Sequence, residues 1–399
     1  MKALGLIVEY NPFHNGHLHH LQASISLTKP DVVVAVMSGH FTQRGEPTIV
    51  NKWKRAEMAL SAGIDLVIEL PYAFGVRAAD TFAKGSVSIL NALGVEELVF
   101  GSESAVLKDL IELENASRSD EFQMQVHEYL KKGMSLPKAH ALVDARLEQR
   151  APNNTLGIQY LRAIREFDSN MTPHTIARKG ASYNDETPSD THIASATAVR
   201  RLIEAGKEYD AYVPDDIHSL LRADEFVGIQ SWENHFVVLK QKILTLGTDE
   251  LEKIHDMIEG LEHRFYSVAM KSSNFKDFLR NILTKRYTKT RIQRICANIL
   301  THTTQAKISV WQLDKGTPYV RVLGFSEKGR NYLRHIKDDV QIPIYSTFGK
   351  SVHPMLRHEQ SVTAAYASVL PEPHATKLLQ DEYKKIPIQL KVESSVSEF

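Results

Sequence analysis

The 399-residue chain balances 48 Lys and Arg against 48 Asp and Glu, is 43% hydrophobic, and holds a single cysteine, Cys296, among 18 histidines. This is a globular composition with chain enough for roughly two or three domains, and one unpaired cysteine excludes both a disulfide scaffold and a thiolate zinc centre. Zero net charge denies the molecule a strongly basic field, so a nucleic acid would have to be met by a local patch.

The opening apolar run is cut by Glu9 and Asn11 well short of a signal-peptide core, and no stretch approaches a membrane span. A cytoplasmic protein with no membrane partner is expected. Ala3 to Val8 reads as a first strand that breaks at Glu9-Tyr10-Asn11-Pro12, with helical character resuming near His17. Asp31 to Met37 is β-branched and almost wholly apolar, the pattern of a strand covered on both faces, and a loop from Ser38 to Pro47 follows. Trp53, Ala56, Ala59 and Leu60 fall at helical spacing. Asp65 to Leu70 and Glu97 to Phe100 supply a third and a fourth strand around a helix over Phe82 to Leu93. Alternation of this kind predicts an α/β fold with a parallel sheet, whose ligands bind beyond the carboxyl ends of the strands. The loops at 9–17, 38–52 and 101–104 should therefore converge on one crevice.

Asn11-Pro12-Phe13-His14-Asn15-Gly16-His17 carries the most chemistry. Two imidazoles lie three residues apart at the start of a helix, where unpaired N–H groups and the dipole favour anions. Histidines there can donate to phosphate oxygens as charge builds in a transition state. No GxxxxGK[ST] exists, so the loop is not a P-loop.

His14-Asn15-Gly16-His17 after a first strand resembles the HxGH signature of the nucleotidylyltransferase superfamily. With GLIVEYNPFHNGHLHHL (5–21), MSGHFTQRGEP (37–47), GIDLVIELPYAF (63–74), FGSES (100–104), APNNTLGIQYLRAI (151–164), Arg178-Lys179-Gly180, SATAVRRLI (195–203) and RYTKTRIQRI (286–295), the chain is similar to the bacterial tRNA(Met) cytidine acetate ligase family. His40 departs from the pattern, which leads to Asn. The resemblance implies a Rossmann-like nucleotidylyltransferase domain that binds ATP, activates acetate as acetyl-adenylate with Mg²⁺, and acetylates N4 of the wobble cytidine of elongator tRNA(Met).

Carried onto this chain, the resemblance implies an ATP segment running through Ile7, Val8, Glu9, Tyr10, Asn11, Pro12, Phe13, His14, Asn15, Gly16, His17, Leu18, His19 and His20, with His14 and His17 as the catalytic phosphate contacts. Gly101, Asn153 and Arg178 would complete the nucleotide site, and Ser195 and Thr197 resemble a second phosphate signature without its usual lysines. Simpler readings stand beside these. His19 and His20 could be a solvated helix face, Gly101 a turn glycine, Asn153 a helix cap, and Arg178 the partner of a surface carboxylate. Lys52 and Arg44 fit substrate contact and solvated charge equally well.

Beyond Gly206 the sequence reads as helical, with apolar spacing at Leu220-Leu221, Phe236–Leu246, Leu251–Leu261 and Phe275–Leu283. Five of the ten residues 285–294 are basic: Lys285, Arg286, Lys289, Arg291 and Arg294. They form a candidate RNA-phosphate stripe in which Tyr287 could stack on a base. From about 305, VWQLDKG, YVRVLGF and IPIYSTF suggest short strands among helices at 328–338 and 359–369, in a mixed α/β module packed on the helices. The expected division is a catalytic domain at 1–210, a helical RNA-binding region at 211–300 and the module at 301–399. Two other functions fit the motifs: a cofactor-type nucleotidylyltransferase, and a non-catalytic RNA-binding protein with a vestigial nucleotide site. Because the two motifs lie far apart in sequence, His17→Ala should abolish adenylate formation and spare RNA binding, and Arg291→Ala with Arg294→Ala should do the reverse.

Overall fold

The computed structural model describes residues 1–103, 105–134, 136–144, 152–177, 191–222, 229–258, 260–284, 286–349 and 352–390. Among these, eight strands make one sheet: β1 (Ala3–Val8), β2 (Val32–Ser38), β3 (Leu66–Leu70), β4 (Glu97–Ser102), β5 (Thr172–Ala177), β6 (Val320–Phe325), β7 (Ile344–Tyr345) and β8 (Ile388–Gln389). The order is β5-β4-β1-β2-β3-β6-β7, with β8 also on β6. β1 to β5 run parallel. Burial on both faces explains their apolar sequences. Val33, Ala35 and Met37 of β2 enter one core, and Val32, Val34 and Val36 enter the other. The chain winds outward from β1 in both directions, so the gap between the ends of β1 and β4 is the topological switch point of the sheet.

The first core continues from the sheet into the helices of the middle region, taking in Trp232, Phe236, Phe265, Phe278 and Ile292. These lie on helices Trp232–Leu251, Leu261–Lys271, Phe275–Ile282 and Lys289–Thr301. The helix expected over Leu251–Leu261 is instead a linking turn, in which Asp256 takes a left-handed φ of 68°. Three helices, Leu107–Ala116, Asp120–Lys131 and Leu136–Val143, follow β4, in a stretch for which no element was expected.

The C-terminal module differs from expectation in two respects. VWQLDKG forms the end of helix Gln305–Trp311 and a short 3-10 turn rather than a strand. The module also does not pack on the helices alone, because β6 joins the main sheet antiparallel to β3 and covers an otherwise open edge. A boundary at residue 301 thus divides a chain whose last strands return to the first sheet.

That return is held by charge. In the β3–β6 register Glu69 faces Arg321, with Nη1 3.0 Å from Oε2. Lys52 Nζ lies 2.7 Å from Glu69 Oε1 and 2.9 Å from Glu382 Oε2, and Arg321 also pairs with Glu382. All four side chains are buried. Lys52 is therefore neither a substrate contact nor a solvated charge. Glu359 joins them and accepts the Tyr72 N–H at 2.7 Å. Burial, reinforced by Glu69, pushes its carboxyl up to about 8. In Glu382 the upward push of burial is outweighed by Arg321 and Lys52, which hold the carboxyl below its ordinary range. Near neutral pH two cations thus face two carboxylates, with Glu359 protonated. His40 stacks on Tyr366 at 4.6 Å beside this cluster, and burial keeps its imidazole uncharged.

Candidate active site

One cavity of about 1270 Å³ opens at the switch point. Arg55 fixes its floor: the buried guanidinium donates to the carbonyls of Glu9 (2.7 Å), Ser38 (3.0 Å), Gly39 and Val50, and so ties the ends of β1 and β2 to the second loop.

His14 caps the helix Asn15–Thr28, with Nδ1 accepting the Gly16 N–H at 3.0 Å. Its ring lies 3.8 Å from that of His17, and Tyr10 meets His17 edge-on at 4.9 Å. A Cβ on Gly16 would sit 2.8 Å from His14 Cε1, so this glycine makes room first for the histidine ring. Asn11 Oδ1 accepts from Ile49 N at 2.8 Å, while its buried Nδ2 has no hydrogen-bond partner among the described residues. That leaves a donor in the wall for a ligand. Ile7, Val8, Glu9, Tyr10, Asn11, His14, Gly16, His17, His19 and His20 all line the cavity. Pro12, Phe13, Asn15 and Leu18 do not. Phe13 is core, and Asn15 donates to the carbonyls of His192 and Ala211, both at 2.9 Å.

Gly101 and Asn153 line the opposite wall. Asn153 Nδ2 donates to Glu103 Oε1 at 2.6 Å, and Glu103 also receives the Asn153 and Asn154 N–H groups. Asn153 is thus the second residue of helix Pro152–Glu166, and the carboxylate of Glu103, not the Asn153 side chain, accepts from the N–H groups at its start. Ser195 and Thr197 also line the cavity; Ser195 Oγ is engaged as the cap of helix Ala196–Glu204, accepting from Ala198 N. Arg178 and Lys285 lie outside the described residues. His40 does not reach the cavity wall, whereas Arg44 does.

Arg286, Lys289, Arg291 and Arg294 open onto this same cavity. Distance along the chain is therefore not distance in space. Gln293 Nε2 donates to Glu46 Oε1 at 3.3 Å, Glu46 pairs with Arg200, and Arg200 donates to the Asn11 carbonyl at 2.9 Å. Gly45, at φ 80°, packs so closely that an added Cβ would sit 2.6 Å from Arg294 N. The expectation that Tyr287 stacks on a base is not met, because its ring is buried with the Arg291 guanidinium 5.2 Å from its centroid.

Sequence reasoning assigned no role to Arg200 and Arg201, although both stand in SATAVRRLI behind a Ser cap and both line the cavity. It also missed Gln43, Glu46 and Asp256. Gln43 N donates to Glu9 Oε1 at 2.6 Å, and burial pushes the Glu9 carboxyl up despite this bond and nearby Arg44. No three His, Cys, Asp or Glu side chains among the described residues are grouped as metal ligands.

A nucleotide-sized cleft at the switch point of a parallel sheet, with paired histidines at a helix N-terminus, defines a nucleotidyl transferase. The sequence model of the HIGH nucleotidyl transferase family matches residues 1–381, and the chain belongs to that family. It is 42% identical over 401 residues to tRNA(Met) cytidine acetate ligase of Anoxybacillus flavithermus, covering 98% of this chain and all of the relative. Its identity to the enzyme of the same name from Geobacillus sp. is 41%, over 97% of this chain and all of that one. In structure it is similar to Thermotoga maritima TmcAL: the apo form superposes with a TM-score of 0.91 at 34% identity, and a form bound with alpha-thio ATP with 0.89 at 33%. Both matches cover 98% of this chain and 100% of the other. Among the described residues no helix is long and apolar enough to cross a membrane.

Proposed function

We propose that the protein joins acetate to the wobble cytidine of elongator tRNA(Met), using ATP and forming N4-acetylcytidine. The observation that carries this reading is the single cavity shared by the HxGH loop and the basic start of helix Lys289–Thr301. A cofactor-type nucleotidyl transferase needs only the first wall. A binding protein with a vestigial nucleotide site needs only the second.

Free acetate is a poor acyl donor and an aromatic amine a poor nucleophile, so the carboxylate is activated first. An acetate oxygen attacks the α-phosphorus of ATP, and pyrophosphate leaves with its bonding pair. The cytidine N4 then attacks the acetyl carbon, AMP departs, and the amine loses a proton. His14 and His17, as paired donors at a helix N-terminus, stabilise charge on the phosphate oxygens. Gly101 and Asn153 hold the nucleotide from across the cleft, with Arg178 near the phosphates. Lys285, Arg286, Lys289, Arg291 and Arg294 meet the RNA. On this reading residues 1–210 carry the ATP chemistry, 211–300 the RNA face, and 301–399 brace the sheet. Mg²⁺ would accompany ATP as its counter-ion, a role in which it keeps most of its own waters.

The test is incorporation of labelled acetate into tRNA with ATP and Mg²⁺ and without acetyl-CoA, followed by nucleoside mass spectrometry. Acetylated cytidine confined to one tRNA species is expected. Pyrophosphate exchange that depends on a phosphate ester instead of acetate would overturn the reading.

A further inference from the structure

The transfer step leaves one proton to be taken up. When the cytidine N4 bonds to the acetyl carbon the amine must shed a hydrogen, and none of the groups that meet the phosphates or the RNA accepts it. Among the described residues three carboxylates line the cavity, those of Glu9, Glu46 and Asp256. Glu46 accepts from Gln293 at 3.3 Å and pairs with Arg200 at 3.4 Å, and Asp256 faces His255 Nε2 at 3.4 Å. Glu9 alone has no side-chain partner among the described residues: its carboxylate takes the Gln43 N–H and nothing else.

The chain holds this carboxylate in place. Glu9 stands one residue beyond β1, whose last pair is Val8 with Met37, and so at the switch point itself. Arg55, from helix Lys52–Ser61, fixes the Glu9 carbonyl at 2.7 Å. Gln43 N fixes Oε1 at 2.6 Å, and Gln43 is braced in turn by its Nε2, which donates to the Arg77 carbonyl at 2.6 Å. Oε2 is left free for a ligand. The next residue, Tyr10, is buried with a φ of 48°, a left-handed conformation that bulky side chains avoid and that persists where a working site enforces it. Its ring meets that of His17 at 4.9 Å, so Glu9 is one residue removed from a neighbour of the phosphate contact. A triphosphate gains nothing from a bare carboxylate, and Glu9 serves another group. Burial and Glu46 push its carboxyl up against the pull of the Gln43 bond, Arg44 and Arg55, which makes it a stronger base.

We propose that Glu9 Oε2 is the catalytic base of the transfer step. N4 gives its electron pair to the acetyl carbon, the bond from that carbon to the phosphate oxygen breaks, AMP leaves with the pair, and the N4 proton passes to Oε2. Water takes the proton once the product has gone. This rests on the acetate-ligase reading, which supplies both the acetyl group and the amine.

The experiment compares two half-reactions in Glu9→Gln, which can still accept the Gln43 N–H but cannot take a proton. One is acetate-dependent pyrophosphate exchange. The other is single-turnover transfer of labelled acetyl from preformed, enzyme-bound acetyl-adenylate to saturating tRNA, from about pH 5 to 8. Transfer should slow about 100-fold more than exchange. Wild-type transfer should rise with pH as the carboxyl ionises and then level off, and Glu9→Gln should lack the rise. Glu9→Asp, which keeps a carboxylate, should recover part of the rate together with the rise. Wild-type transfer by Glu9→Gln overturns the assignment. Equal slowing of exchange and transfer places Glu9 with ATP and its cation, and also overturns it. A rise that persists in Glu9→Gln puts the proton on another group of the wall, such as His19 or His20, with the same consequence. If Glu9→Gln melts far below the wild type, the wild-type profile decides: a transfer rate that does not rise over this range removes the base. A wild-type protein that shows no acetate-dependent exchange and no transfer defeats the acetate-ligase reading itself, which is a separate result.

Discussion

Glu359→Gln isolates the buried charge cluster between sheet and C-terminal module. The carboxyl ordinarily titrates at 4.5, and in the folded protein at about 8. The native state therefore holds this proton more tightly than the unfolded chain. Its contribution to stability is complete below pH 4.5 and is lost as pH rises toward 8. At 1.36 kcal/mol per pH unit, that gap corresponds to ~5 kcal/mol at full ionisation and ~3 kcal/mol at pH 7. Glutamine cannot ionise, and its amide oxygen can still accept the Tyr72 N–H. Urea unfolding of both proteins from pH 5 to 8.5, followed by tryptophan fluorescence, should give near-equal stabilities at pH 5. At pH 8.5 the variant should be more stable by about 3–5 kcal/mol. The lowered titrations of buried histidines such as His358 and His235 are common to both proteins and cancel in the difference. Parallel stability curves across the range would refute the charge count of two cations, two carboxylates and one neutral acid.

Lys52→Met leaves Glu69 and Glu382 sharing Arg321 alone, and should cost about 3–5 kcal/mol as a broken buried pair, read as a lower urea midpoint. Gly45→Ala combines a positive φ with a Cβ only 2.6 Å from the Arg294 backbone. A loss of about 1–3 kcal/mol should come with weaker RNA binding, since the loop and the basic helix move together; an unchanged melting curve would contradict this. His17→Ala should abolish acetate-dependent pyrophosphate exchange while RNA still binds. Arg291→Ala with Arg294→Ala should weaken RNA binding more than ATP binding, and equal loss of both would show that the two ends of the cavity act as one.

The strands of the catalytic half were legible because burial on both faces writes an unbroken apolar run: Val32 to Met37 can be little else. The convergence of the first two loops followed from strand direction alone, and the cavity lining bears this out at residues 9–11, 14, 16 and 17 of the first and 42–44 and 46 of the second. Charge was harder to read. Lys52 sits in a polar loop sequence, and nothing local announces a carboxylate 330 residues away. The same blindness hid Asp256, which reaches the cavity wall from a turn between helices. Tyr287 was misread because a tyrosine among basic residues looks like a stacking platform until tertiary packing buries its ring. Short edge strands such as Ile344–Tyr345 and Ile388–Gln389 have too few residues for a period to show.

The pairing of Lys52 with Glu382 also sets an order of events during synthesis. At about 5–20 residues per second, Lys52 and its partner Glu69 leave the ribosome roughly 15–65 s before Glu382, the second carboxylate of the cluster. Until Arg321 and Glu382 follow, Lys52 has Glu69 alone to face it, and β3 has no β6 along its edge. Nascent chains arrested before residue 320 should remain open to proteases around residues 66–70, and synthesis of β6 is what covers that edge.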